Sequence, residues 1–355
     1  MANQDLKIEK LLEIVVKENS SDLHLTVGMP PTLRVDGALK PIPNMQPLTE
    51  AEVEGLIFSV VDDIQKDILL KDMEVDFSFA FGDVARFRAN AFHQKGSMAL
   101  ALRLIPTEIR SLEDLGLPKI SNDFTDFPRG LVLVTGPTGS GKSTTLAAMV
   151  DKINRDKAVH ILTIEDPIEY THRNQKSIVQ QREVHYDTRS FSAALRSALR
   201  EDPDVVLIGE MRDLETIASA ITIAETGHLV LATLHTNNAA QSVDRMIDVF
   251  PPHQQQQIRV QLSNILQAIV SQRLLPAIGG GRIVASEIMI ANPAVRNIIR
   301  EGKTHQLDAV IQTSSEEGMQ TMDRNLATLV KSGKITLETA KGYAIDIKEL
   351  ERLVR

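Results

Sequence analysis

At 355 residues, with 43% apolar and 24% charged residues, the chain has an ordinary globular composition and room for two domains. A formal charge of −8 argues against a basic stripe for nucleic acid over the whole surface, and three Tyr, ten Phe and no Trp leave few platforms for stacked bases. The absence of Cys excludes disulfides, thiolate zinc sites and a cysteine nucleophile; with no apolar run near ~18 residues and no signal-peptide pattern in MANQDLKIEK, a soluble, cytoplasmic protein is expected.

Residues 1–112 read as a small α+β domain. Ile8, Leu11, Leu12, Val15 and Val16 fall at helical spacing and predict an opening helix with one buried face. Short alternating stretches follow: DLHLTV (22–27), TLRVDG (32–37), VDFSFAFGD (75–83), ARFRANAF (85–92) and MALALRLI (98–105). Turn residues punctuate them at Gly28, Asp36-Gly37, Gly82-Asp83 and Gly96, which predicts an antiparallel sheet. One helix is expected over 49–70, starting near Thr49 or Glu50. Nothing in this half looks catalytic, and His24 is read as structural rather than as a ligand.

The stretch PTEIRSLEDLGLPKI (106–120), with Pro106, Gly116 and Pro118, reads as a connector, placed at 113–122. From 123 to 355 the pattern changes to strand, glycine, helix, repeated. Candidate strands are Leu131–Thr135, Ile161–Glu165, Val205–Ile208, Leu229–Thr233 and Ile283–Met289, and C-terminal helices follow from about 290. This predicts a mainly parallel sheet with helices on both faces.

The chemistry concentrates here. Gly136, Pro137, Thr138, Gly139, Ser140, Gly141, Lys142 and Ser143, with Thr144 next, match G-x-x-x-x-G-K-[ST] between a strand and a helix. The glycines let backbone N–H groups face a β-phosphate, and the helix N-terminus adds its dipole. Lys142 is expected to reach the β/γ-phosphates of ATP and Ser143 to ligate Mg²⁺. DPDVVLIGEMRD ends a buried strand in Gly209-Glu210; that carboxylate is suited to the magnesium shell, partly through water, and to polarising the attacking water. ILTIEDPIEY sets Glu165, Asp166 and Glu169 at another strand end, as water and metal positioners or as a solvated turn. GHLVLATLHT puts His228 and His235 at opposite ends of one strand. His235, at the carboxyl end, is placed to sense the γ-phosphate; the strand alone leaves open which of the two is structural. SFSAALRSALRED predicts a helix capped by Ser190 and stopped by Asp202-Pro203, with Arg196 and Arg200 on one face. They are solvated charges or fingers that reach a neighbouring subunit's γ-phosphate, which would require a ring.

GPTGSGKSTT, TIEDPIEY, LREDPDVVLIGEMRD and GHLVLATLHTN together resemble, in order and spacing, the Walker A, Asp, Walker B and His boxes of the type II/type IV secretion ATPases. SDLHLTVGMPPTLRVDGAL resembles the family's N-terminal domain, so the likeness covers nearly the whole chain. It implies a PAS-like N-terminal domain and a RecA-like ATPase domain in a cytoplasmic homohexamer, with nucleotide between the domains and against the next subunit. It assigns Glu210 to Walker B, Glu165 to the Asp box, and His228 and His235 to the His-box pair. It matches Arg103, Arg196, Arg200 and, less closely, Arg282 to arginines that contact phosphates. Assembly ATPases of the family usually carry a four-cysteine zinc element, which this chain lacks.

AVRNIIRE (294–301) is similar to a motif of the family's pilus-retraction branch. Asn292 suits an N-cap, Pro293 the first helical position and Gly302 the residue after the end, so one short helix is expected over 293–301. Val295, Ile298 and Ile299 form its buried face, Arg296 and Arg300 share another, and Asn297 and Glu301 a third. The resemblance implies a motor that withdraws type IV pili, and so drives twitching motility. It would act on an inner-membrane platform protein, and indirectly on pilin, with no nucleic acid involved. Alternatives are an accessory pilus ATPase of the same family, a nucleotide-dependent switch, or a RecA-like nucleic-acid motor. A GTPase is disfavoured because no N-K-x-D motif follows the phosphate loop.

Overall fold

The computed structural model describes residues 6–18, 20–35, 37–82, 84–105 and 108–355. Asp36, Asp83, Pro106 and the first five residues, used in the sequence reading, lie outside the described residues. The chain divides into two compact units: Met1–Glu108 with Pro167–Thr171, and Ile109–Asp166 with His172–Arg355.

In the first unit α1 (Ile8–Lys17) buries Ile8, Leu11, Leu12 and Val15, as its spacing predicts, with Val16 only half-buried. The six strands are β1 (Asp22–Thr26), β2 (Thr32–Val35), β3 (Ala38–Pro41), β4 (Glu74–Phe81), β5 (Ala85–Gln94) and β6 (Ser97–Ile105). They pair antiparallel throughout in the order β3-β2-β1-β6-β5-β4. β3 was not expected: its four residues are all exposed, and ALKP lacks the alternation that marks a half-buried strand. The single helix expected over 49–70 is instead two, α2 (Glu50–Phe58) and α3 (Asp63–Asp72). Each has its own capping box. The Thr49 hydroxyl accepts from the Glu52 amide and the Asp62 carboxylate from the Gln65 amide, while Glu52 and Gln65 reach back to the cap amides. The second box, D-x-x-Q, restarts the helix. Within the same unit, Arg86 donates to the Ile168 carbonyl (3.1 Å) and Arg88 pairs with Glu169 (3.6 Å). Burial lowers the pKa of His24, whose Nε2 has no hydrogen-bond partner among the described residues.

The second unit is built on a seven-stranded sheet. Its elements are β7 (Gly130–Thr135), α4 (Lys142–Asp156), β8 (His160–Glu165), β9 (Ile178–Glu183), α5 (Phe191–Ala198), β10 (Val205–Ile208), α6 (Leu214–Glu225) and β11 (Leu229–Leu234), then α7 (Ala239–Asp248) and α8 (Pro252–Ile265). β12 (Leu266–Pro276) and β13 (Arg282–Ile290) complete the sheet, followed by α9 (Pro293–Glu301), α10 (Leu307–Thr313), α11 (Met322–Lys331), α12 (Leu337–Tyr343) and α13 (Ile347–Val354). The order is β13-β12-β7-β11-β10-β8-β9, parallel except for β13, which runs antiparallel to β12. β7 lies inside the sheet and alternates between two cores. Leu131 and Leu133 pack with α5 to α10, and Val132 and Val134 with α4 and Phe124. Burial on both faces is why the sequence of β7 reads as a continuous apolar run.

β9 and β12 escaped the sequence reading. β12 follows α8 without a turn, and its apolar run has no period that separates strand from buried helix. The expected connector is not free chain: Leu112 and Leu117 are buried in the same core as Phe124 and Val132. Among the described residues no helix is long and apolar enough to cross a membrane.

Candidate functional site

Four neighbouring parallel strands, β7, β11, β10 and β8, end at one edge of the sheet. Their carboxyl ends carry the Gly136–Gly141 loop, His235, Glu210 and Glu165 respectively. Ligands of open α/β sheets bind at this edge, because the strand ends and helix N-termini open onto it.

The loop from β7 to α4 depends on its glycines at two points. Gly136 (φ 145°) passes so close to the Gln272 carbonyl and the Ser140 hydroxyl that a Cβ would collide with both. Gly141 (φ 88°) is the left-handed residue from which α4 starts. Lys142 donates to the carbonyls of Gly136 (2.9 Å) and Pro137 (3.1 Å), so its ammonium is held against the residues that open the loop. Ser143 and Thr144 follow in the first turn of α4. Beneath the loop, the buried Gln272 of β12 donates to the Ser140 carbonyl (2.8 Å) and accepts from the Thr145 hydroxyl (2.9 Å). One amide thus joins β12, the loop and α4. Ser140 Oγ is buried without a hydrogen-bond partner among the described residues, a polar group in the cradle for a ligand oxygen.

Glu210 is fixed from both sides. The Gly209 amide donates to the Ile164 carbonyl (2.8 Å) and the Met211 amide to the Thr233 carbonyl (3.1 Å), while the Thr233 hydroxyl donates to the Gly209 carbonyl (2.6 Å). Its side chain meets Arg212 through two contacts, Nε–Oε1 at 2.6 Å and Nη2–Oε2 at 2.7 Å, and His235 Nε2 at 3.2 Å. Burial works to raise the carboxyl pKa; the Arg212 hydrogen bond and the His235 and Arg212 charges outweigh it and leave the group below its ordinary value. Glu165, on the neighbouring strand end, accepts from the Thr163 hydroxyl (2.7 Å) and the Gln181 side chain (3.2 Å).

The other expected residues are distributed as follows. His228 is at the amino end of β11, the far edge of the sheet, with Nδ1 2.9 Å from the Ile223 carbonyl and 3.1 Å from the Thr226 hydroxyl. It therefore does not meet His235 within the chain. Of the three carboxylates expected together, Glu169 belongs to the first unit and pairs with Arg88. The Ser190 cap is present, accepting from the Ala193 amide (3.1 Å), but α5 ends at Ala198. Arg200 therefore sits in the turn beyond and not on the helical face of Arg196, because Asp202 (φ 54°) and Pro203 break the helix early. Arg196 is 3.7 Å from Glu215, with both side chains exposed. Arg103, in the first unit, pairs with Asp22 at 2.9 Å. Arg282 opens β13 opposite Pro276, the end of β12 that has run past the phosphate loop.

Arg212 and Gln272 were missed by the sequence reading. Both had a signal: Arg212 stands two residues after Glu210 at a strand end, and Ser271-Gln272 is a polar pair inside an apolar run.

The helix over 293–301 is present as expected. The Asn292 side chain accepts from the Val295 amide (3.0 Å), Gly302 (φ 70°) closes the helix, and Val295, Ile298 and Ile299 are buried. Arg296 has partners that the spacing did not show: its guanidinium donates to the carbonyls of Ser263 (2.7 Å) and Asn264 (2.9 Å) at the end of α8 and to the Gln267 side chain (3.1 Å). Gln267 in turn donates to the Arg129 carbonyl beside β7 (3.1 Å). Asn297 and Glu301 pair on the exposed side at 3.1 Å.

The family described as "Type II/IV secretion system protein" matches residues 4–279. The chain is 53% identical over 339 residues to the type IV pilus retractation ATPase PilT of Pseudomonas aeruginosa, covering 96% of this chain and 98% of that protein. It is 53% identical to a twitching motility protein of Neisseria gonorrhoeae, over 88% of this chain and 84% of that one. The crystal structure of the pilus retraction motor PilT with bound ADP superposes with a TM-score of 0.91 at 52% identity, over 98% of this chain and all of that one.

Proposed function

The chain belongs to the type II/IV secretion system protein family, and on that premise we propose that it is the hexameric ATPase that powers type IV pilus retraction. The observation that carries the reading is Glu210. A carboxylate kept ionised beside His235 shares one sheet edge with a Lys142–Ser143 phosphate loop, and the ADP-bound retraction motor shares this fold along its whole length.

In this reading the Gly136–Gly141 loop and the start of α4 bind the phosphates of ATP, and Lys142 turns from its two carbonyls to the β/γ-phosphates. Ser143 would hold Mg²⁺, with Glu210 acting partly through water, and the ion would supply positive charge against that developing on the phosphates. Glu210 orients the attacking water and takes its proton, Glu165 supports it from the next strand, and His235 reports on the γ-phosphate. The products are ADP and phosphate. The first unit is the PAS-like domain. Arg103, Arg196, Arg200 and Arg282 lie outside the loop itself and complete phosphate sites in the assembled ring, where His228 also finds its role. The ring works at the cytoplasmic face of the inner membrane, on a platform protein, and pilin leaves the fibre base as a result. Helix α9, intact and capped, favours retraction over the accessory pilus ATPase.

The test is a strain lacking this protein. It should carry excess pili that it does not withdraw, and the parent sequence should restore twitching while Lys142→Ala does not. Normal withdrawal without the protein would overturn the reading.

A further inference from the structure

Glu287 is the one charged residue of β13's buried stretch, and no part of the phosphate chemistry above uses it. Its side chain is 2% exposed, and Oε1 accepts from the Ala239 amide at 2.8 Å. Ala239 is the first residue of α7, and that amide has no partner inside the helix. The four residues before it, His235 to Asn238, run from the end of β11 to the helix cap. They are drawn tight by the Asn238 cap on the Gln241 amide (2.8 Å), a Thr236–Ser242 hydroxyl contact (2.6 Å) and Ser242 on the Asn238 carbonyl (2.7 Å). At the front of this segment His235 reaches Glu210 at 3.2 Å.

We propose that Glu287 is a positioning residue for the nucleotide site: from β13 it anchors the start of α7 and so sets where His235 stands against Glu210. The inference rests on the ATPase reading. Neighbouring residues of the β12–β13 pair then hold the two halves of the site. Gln272 steadies the phosphate loop, and Glu287, opposite Ser271 in the ladder, steadies the sensing segment.

The anchor is sensitive to charge. Burial pushes the Glu287 carboxyl up to about 7, and Asp308 of α10 and Asp323 of α11 push the same way, while the Ala239 amide and Arg273 of β12 oppose them. The ionised carboxylate is the stronger acceptor and is favoured by the helix dipole, so the anchor tightens as pH rises through neutrality.

The experiment compares the full-length parent with Glu287→Gln and Glu287→Met in steady-state ATP hydrolysis from pH 6 to 9. Glu287→Gln keeps an acceptor that does not titrate; its kcat should stay within ~3-fold of the parent at pH 8 while the limb near pH 7 disappears. Glu287→Met leaves the Ala239 amide unpaired; kcat should fall ~10-fold, with the KM for ATP changed less than ~3-fold, because the phosphate loop is held separately. A pH profile of Glu287→Gln that keeps the parent's limb overturns the proposal, as does a Glu287→Met kcat equal to the parent's. Should Glu287→Met fail to fold, the Glu287→Gln profile decides alone. A parent without ATP hydrolysis would overturn the ATPase reading itself, an outcome distinct from either.

Discussion

Glu210 and Arg212 are joined by a two-pronged contact, Nε–Oε1 at 2.6 Å and Nη2–Oε2 at 2.7 Å, that holds the carboxylate ionised at the end of β10. Glu210→Gln is expected to leave ATP binding intact and to cut turnover at least ~10²-fold, as for the loss of a water-positioning base. Removing Arg212 takes away a force that lowers the Glu210 pKa. In Arg212→Ala the acid limb of the kcat profile should therefore move to higher pH. An unmoved limb would show that Arg212 does not tune the base.

Lys142→Ala should weaken nucleotide binding outright, whereas Gln272→Leu should do so indirectly. The leucine leaves the Ser140 carbonyl and the Thr145 hydroxyl without their shared partner, at about 1–3 kcal/mol for each buried group. Calorimetric titration with ADP and a melting curve read the two effects. A stable Gln272→Leu protein with parental ADP affinity would show that the loop holds its shape without β12.

Arg103, Arg196 and Arg200 lie outside the phosphate loop, so their alanine variants should still bind nucleotide and hydrolyse it poorly. Rings mixed from Arg196→Ala and Glu210→Gln subunits distinguish action in cis from action in trans. Activity that merely follows the fraction of each subunit would count against Arg196 reaching across an interface.

The two polar residues of α9 should behave differently. Arg296 closes the end of α8 with two hydrogen bonds and reaches Gln267 of β12 with a third, so Arg296→Ala should lower stability by roughly 2–4 kcal/mol and impair retraction partly for that reason. The exposed Asn297 side chain donates to Glu301, four residues on in the same helix, so Asn297→Ala should keep the melting temperature, the hexamer and basal ATPase while retraction is lost. Normal retraction in Asn297→Ala would remove this face from the coupling.

Glu287 also predicts a pH slope in stability. Its folded pKa of about 7 lies above the ordinary 4.5, so the fold favours the protonated form, and stability is lost as pH rises from about 4.5 through about 7. Glu287→Gln lacks this loss. Its melting temperature should match the parent's near pH 5 and exceed it at pH 8; equal melting temperatures at both would show that burial does not penalise this carboxylate.

The sequence by itself determined whatever depends on neighbouring residues. The phosphate loop, with glycine at 136 and 141, is legible because only a residue without Cβ can make those turns. The ends of α9 are legible because Asn292 and Gly302 satisfy the helix's own terminal groups. Glu210 is legible because it ends a four-residue apolar strand. Tertiary structure decided what depends on partners distant in the chain. Arg296 on a short amphipathic helix is only a neighbour of Arg300 in sequence, until α8 ends beneath it and offers two carbonyls. β12 reads equally as helix or strand until β7 and β13 flank it, and only then does Gln272 come under the loop 132 residues away. Glu287 is an ordinary strand residue in sequence; the helix start at Ala239, 48 residues earlier, makes it an anchor. Local backbone geometry is written in local sequence, whereas a buried polar group takes its meaning from whichever partner the fold delivers.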